Sequence, residues 1–459
     1  CAILNHETVT GSKFFAEYIY NAFALDCKLE ICENFLLCGI IKKMNSKDLI
    51  KSIVNNFLGD EKLNVAYFSL SKNLMKKIGS DDFDGFEIDL ESETAPLAPF
   101  LTILAKIKIP FEHLKNSAYE LQRETFRTFF KDGFPAERAD AVILEEIDYE
   151  KIRMRETIVS LMKKCFSGKV IVLNAQLMSD DALKILQELE NSVLKGKFIF
   201  CFNNLDMEKK SSVMKDFFHK INRQNNYYSI NSADSFEAVE FCPESENKEI
   251  DYQAILRELK SYRLFLDIEK AYEVAREIDQ ANILSNANVE EIRLIYMEMG
   301  IIAFFYGDTD LASFYFNNII EYQLDDEVDC YAYYWLANVF CRKNMNSVSL
   351  KYISKAVAKS KNYTQLPVYA LSVMLDYIIT EKTDSQYSAK KYLNALAQLE
   401  KFGLANNHIY TSLVIPYGVV YDSNLRKQML VHVEKALKDA ERLENKFGLS
   451  IACHSMGIM

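Results

Sequence analysis

EMGIIAFFYGDTDLASFYF (298–316) decides how the second half of this chain folds. Gly300 is a small residue set among large apolar ones, Gly307-Asp308 marks a turn, and Ala312 and Phe316 follow at helical spacing. Two helices pack closely only where one presents Gly, Ala or Ser to the large residues of the other, so the stretch predicts a helical hairpin. The frame recurs. WLANV around Ala337, PYGVV around Gly418 and SMGIM around Gly457 repeat EMGII, and Tyr377 fills the same place between the second and third. Successive spacings are 37, 40, 41 and 39 residues. Ser349 and Ala389 then take the place of Ala312, and Ile353 and Leu393 that of Phe316. Such a period predicts stacked hairpins that bury one continuous core, an all-α superhelical solenoid over residues 252–459.

Upstream the pattern changes. Between about residues 30 and 205, short apolar runs alternate with helical stretches, which predicts a parallel sheet flanked by helices. The strand candidates are ENFLLCGI (33–40), LNVAYFSL (63–70), DAVILEEI (140–147), KVIVLNAQ (169–176) and KFIFCFNN (197–204). VIVL and FIFCF are continuously apolar, as strands buried on both faces are. The amphipathic DDALKILQELENSVL between them completes a βαβ unit. The reading is an α/β domain over 1–243, a linker over 244–251 centred on ESENKE, and the solenoid over 252–459.

Composition limits the function. The chain has 459 residues, enough for two or three domains, with 49% apolar and 26% charged residues. Its formal net charge of -11 and its lack of a dense Lys/Arg cluster argue against nucleic-acid binding by this segment. Ten cysteines without a CxxC pair predict free thiols in a reducing cytoplasm. No apolar stretch reaches membrane-spanning length. The six histidines show no metal-ligand spacing, and the acidic run Glu145-Glu146-Ile147-Asp148 reads as a solvated strand end, so no metal site is expected. With no initiator Met and with SMGIM closing the chain within a repeat, the sequence reads as part of a longer protein.

The small/large pattern of 252–459 resembles the tetratricopeptide repeat. Its period exceeds the usual ~34 residues and is similar to the longer variant of large bacterial regulators such as the maltose regulator. The upstream domain resembles STAND-type signalling NTPases, whose nucleotide domain is an AAA-like P-loop fold. The likeness is carried by VTGSKFFAEYIYNAF (9–23), by GIIKKMNS (39–46) in the P-loop frame, by TAPLAPFLTIL (94–104), and by KVIVLNAQLMSDDALKIL (169–186) along the Walker B contour. The family's chemistry is depleted. Gly39 and Ser46 remain, but Met44 and Asn45 stand for the second glycine and the phosphate lysine. Asn174 and Ala175 stand for the two acids that would anchor Mg²⁺ and polarise water. Asn203 or Asn204 takes the place of a polar sensor residue. The resemblance therefore implies a degenerate nucleotide site at Gly39, Asn45, Ser46, Asn174 and Asn203, and places the KVIVLNA strand beside the ENFLLCG strand.

These readings converge on a non-catalytic signalling or regulatory module: a pseudo-ATPase platform joined to a helical-repeat surface. That surface would take a protein partner, a small ligand or the protein's own effector domain, with Tyr331 and Tyr334 as candidates for its groove. No cofactor and no catalytic residue is expected. Two alternatives stay open: a STAND switch that retains ATP or ADP through backbone contacts, and a pure scaffold whose α/β domain is unrelated.

Overall fold

The computed structural model describes residues 46–60, 63–70, 85–118, 120–132, 147–203, 210–224, 226–230, 250–383, 389–401, 423–442 and 446–459. They form 17 helices and one five-stranded sheet.

Three of the apolar runs are strands: β1 (Val65–Leu70), β3 (Lys169–Leu173) and β4 (Lys197–Asn203). Two more, β2 (Phe86–Asp89) and β5 (Tyr227–Ile230), come from stretches too short and polar to stand out. Every pairing is parallel, in the order β2-β3-β4-β1-β5. Alternate side chains point to opposite faces of a strand. Thus Tyr67, Phe198, Phe200, Val170 and Val172 line one face, and Ala66, Phe68, Ile171, Ile199 and Cys201 the other. Both faces are covered, as a parallel sheet requires.

The second face, with its smaller Ala66 and Cys201, receives α1 (Ser46–Gly59) through Val54 and Phe57. Lys197, at the amino end of β4, fixes the far end of that helix. Its ammonium donates to the carbonyls of Leu63 (2.7 Å), Phe57 (3.4 Å) and Asp60, over the Phe57 ring. The lysine thus joins the last turn of the helix to the chain that leaves it. The first face carries α2 (Phe100–Lys106), α3 (Phe111–Ser117), α4 (Glu120–Asp132), α5 (Ile147–Cys165), α6 (Asp180–Glu190) and α7 (Ser212–Ile221).

One expectation changes. Ile147 opens α5 instead of closing a strand over 140–147, and 140–146 lies outside the described residues. Both flanks of β3 are taken, by β2 and β4; the ENFLLCG stretch expected beside KVIVLNA lies outside the described residues.

From residue 252 the chain is helical: α8 (Tyr252–Leu264), α9 (Ile268–Gln280), α10 (Val289–Tyr306), α11 (Thr309–Glu321), α12 (Glu327–Arg342), α13 (Asn346–Ser360), α14 (Pro367–Thr383), α15 (Ala389–Lys401), α16 (Ser423–Arg442) and α17 (Lys446–Ile458). The hairpin read from 298–316 is formed by α10 and α11. Gly307 ends α10 at φ 103°, a conformation open to glycine, and the Asp308 side chain caps α11 by accepting the Leu311 N–H. A Cβ built on Gly300 would stand 2.5 Å from the Phe316 ring, so the two helices touch where the sequence thins. In the next pair the Ser349 hydroxyl donates to the Ala337 carbonyl at 2.6 Å, across α12 and α13. Gly418 lies outside the described residues, and Gly457 faces open space.

Polar ties link residues about one hairpin apart. Arg293 donates to both oxygens of Asp326 (2.6 and 2.7 Å) and to Asp329 (2.7 Å); Arg263 pairs with Glu298; the Tyr272 hydroxyl donates to Asp308 (2.7 Å). Trp335 stacks on Phe316 (6.2 Å, 9°) and meets Phe304, Phe305 and Tyr334 edge-on. The two halves share core. Phe265, in the α8–α9 turn, is buried edge-on against Phe126 (5.3 Å) and Phe129 (5.0 Å) of α4. Among the described residues no helix is long and apolar enough to cross a membrane.

Candidate functional site

In a parallel α/β sheet the carboxyl ends of the strands are where ligands are handled, because the loops there leave a crevice between them. Here that edge carries Asp89 at the end of β2, Asn174 just past β3 and Asn203 at the end of β4. The sequence brought Asn174 and Asn203 forward separately, and the fold joins them through Gln176. Asn174 Nδ2 donates to Asp89 Oδ1 at 2.8 Å, and Gln176 Nε2 donates to Asn174 Oδ1 at 3.3 Å. Gln176 Oε1 then accepts the backbone N–H of Asn203 at 2.9 Å. All three amide residues are buried.

Local chain geometry explains the arrangement. Asn174 adopts the left-handed conformation (φ 55°, ψ 41°), which Asn tolerates better than most residues. It turns the chain into a short 3-10 segment (Ala175–Leu177) that carries Gln176 back toward β4. Ser179 then caps α6 by accepting from the Ala182 N–H. Asp180 opens α6 and accepts from the Ser211 hydroxyl at 2.7 Å, binding α6 to α7.

Chemically this edge is a closed relay of amides. Asp89 Oδ1 is engaged both by the Asn174 amide and by the Glu91 N–H at 3.0 Å. Ala175 contributes only a buried methyl. Among the described residues, no three His, Cys, Asp or Glu side chains gather as metal ligands. Gly39 and Asn45 lie outside the described residues, and Ser46 is the first residue of α1. Because Lys197 holds the other end of α1 at the amino edge, and a helix of 14 residues spans about 21 Å, the Ser46 end lies toward the carboxyl edge. Asp89 and Gln176 were missed in the sequence: Asp89 closes a strand with one buried side chain, and Gln176 is one polar residue beyond an apolar run.

The second feature is a cleft of ≈ 520 Å³ on the helical region, lined by Asn317, Glu321, Asp325, Asp329, Tyr333 and Lys359 among others. Tyr333, on α12, is the member of the aromatic run that faces it. Lys359 pairs with Asp325 and lies over the Tyr333 ring at 5.7 Å. Asp329 is committed to Arg293 and to the Asp325 N–H (2.9 Å), and burial pushes its carboxyl up. Tyr331 and Tyr334 are half-buried on the same helix; Tyr334 packs against Ala337 and Ile353.

Compared with models of known protein families and with curated proteins, the sequence matches none of either.

Proposed function

We propose that this chain is a non-catalytic signalling or regulatory module, in which a pseudo-ATPase platform carries a tetratricopeptide-type solenoid that binds a protein partner or the protein's own effector domain. The observation that carries the reading is the closed relay Asp89–Asn174–Gln176–Asn203. At the edge where a P-loop enzyme would hold Mg²⁺ and water, the Asn174 and Gln176 amides spend hydrogen bonds on Asp89 Oδ1, on each other and on the Asn203 backbone N–H. Metal-assisted phosphoryl transfer needs free carboxylate oxygens there. The close approach of Gly300 to Phe316, the Ser349–Ala337 bond and the polar ties about one hairpin apart support the solenoid half of the reading.

A second reading, the pure scaffold with an unrelated α/β domain, is favoured by the filled flanks of β3. A third, a switch retaining ATP or ADP, draws on the placement of Ser46 at the start of a helix aimed toward the carboxyl edge. Calorimetric titration of the chain with ATP and ADP, with and without Mg²⁺, separates them. The module predicts no heat and no thermal stabilisation at millimolar nucleotide. Micromolar binding abolished by Ser46→Ala would hand the lead to the switch.

A further inference from the structure

The turn between α8 and α9 holds a buried carboxyl that neither the sheet edge nor the cleft uses. Asp267, 2% exposed, reaches from the helical region into the α/β domain. There its Oδ2 accepts the backbone N–H of Leu97 at 2.6 Å. Leu97 sits at φ 49°, a left-handed backbone conformation that side-chain-bearing residues seldom adopt unless the surroundings hold them. The other oxygen, Oδ1, has no hydrogen-bond partner among the described residues. The Ser179 hydroxyl faces the carboxyl from the cap of α6.

Charged and titratable groups from several elements surround this carboxyl. Asp181 on α6 and Glu269 on α9 oppose a negative charge on it. Lys151 on α5 ties those two acids together, at 3.3 Å and 3.2 Å, and Arg155 (3.1 Å) and Lys184 (2.9 Å) also hold Asp181. Tyr262 on α8 also faces Asp267, and Glu93 of the 93–99 loop acts in turn on Tyr262.

We propose that Asp267 is a proton-operated latch between the two halves of the chain: protonated, it lies in the closed seam without the cost of a buried charge, and losing the proton sets that cost against the Leu97 bond and loosens the joint. Burial, reinforced by Asp181 and Glu269 and opposed by the Leu97 bond and Ser179, pushes its carboxyl up to about 7. In an opened joint the group meets water and returns to about 3.9. Between those values closure takes up a proton. Each unit rise in pH therefore weakens closure by up to about tenfold, and the effect levels off above the raised value.

Hydrogen–deuterium exchange on the whole chain, corrected for intrinsic rates, tests this. Peptides over 93–99 and 261–270 should lose protection as pH rises from about 5 to about 8, while those over α10 and α11 hold theirs. Asp267→Asn keeps an acceptor for Leu97 but cannot titrate, so its protection should be high and flat with pH. Glu269→Gln removes one opposing charge and should move the midpoint to lower pH. A flat wild-type profile overturns the latch, as does an Asp267→Asn profile that titrates like wild type. Should Asp267→Asn not fold, an unmoved Glu269→Gln midpoint overturns it alone.

Discussion

At Gly300 a single methyl group has nowhere to go: the Phe316 ring lies 2.5 Å from where it would sit. Overpacking of a core costs about 1–3 kcal/mol, against a helix-propensity gain of about 1 kcal/mol for replacing Gly. Gly300→Ala should therefore destabilise by a net of up to ~2 kcal/mol, and adding Phe316→Leu should recover part of it. Urea unfolding of both variants reads this; a Gly300→Ala chain more stable than the parent refutes the close approach. Asn174 poses the opposite problem. Its amide is the donor that Asp89 needs, so Asn174→Asp sets two carboxyls against each other in a buried place. The expected result is a loss of ~1–3 kcal/mol near neutral pH and no gain of Mg²⁺ binding. Like charge raises both carboxyls in the fold, so the loss should shrink as pH falls and one of them protonates. Thermal melts with and without Mg²⁺ check both parts. Asn174 and Asn203 were legible as polar ends of apolar runs. Their coupling was not, because it depends on a left-handed turn and on Gln176, which no spacing rule reveals.

Helices and strands divide by how much they bury. β1, β3 and β4 were readable because every or nearly every side chain in them is enclosed, giving unbroken apolar runs. β2 and β5 lie at the sheet edges, where a strand meets one neighbour and keeps polar residues, so the runs that mark strands are missing. α1 depends on its attachment as well as on its apolar face. Lys197→Met removes the donor that ties Phe57 of its last turn to Asp60 and Leu63 beyond it, and should speed amide exchange over 46–60 more than elsewhere, at a cost of about 1–3 kcal/mol. Uniform exchange across the sheet would argue against that anchoring. Among the helix pairs, Arg293 is the strongest tie. Arg293→Met strands Asp329 in the interior and should cost about 3–5 kcal/mol, and Arg293→Lys should rescue little because lysine cannot grip Asp326 with two parallel bonds. Asp326 is held below its ordinary value, first by its hydrogen bonds to Arg293. Its share of the stability is present above the ordinary carboxylate value and fades as pH falls through the depressed one.

The whole molecule is two architectures with a shared seam, not a sheet domain and a helical one on a string. The sequence marks the change of periodicity near residue 252 but gives no hint that Phe265, beyond that boundary, completes the core beneath α4. Aromatic residues look alike in a helical pattern whether they face their own repeat or another domain. Phe265→Ala should cost about 3–5 kcal/mol and split a single calorimetric transition into two, since the two halves would lose much of their shared burial. One transition at lower temperature would instead mean that the remaining seam suffices. The aromatic cluster around Trp335 bears on the same question. The chain has one tryptophan, enclosed by Phe304, Phe305 and Phe316 and remote in sequence from the sheet. Excited at the red edge of indole absorption, the protein emits from that one place, a built-in lamp in the helical half. Its colour reports the melting of α10–α12 and is blind to the sheet, so comparison with a whole-chain signal reveals whether the halves unfold together.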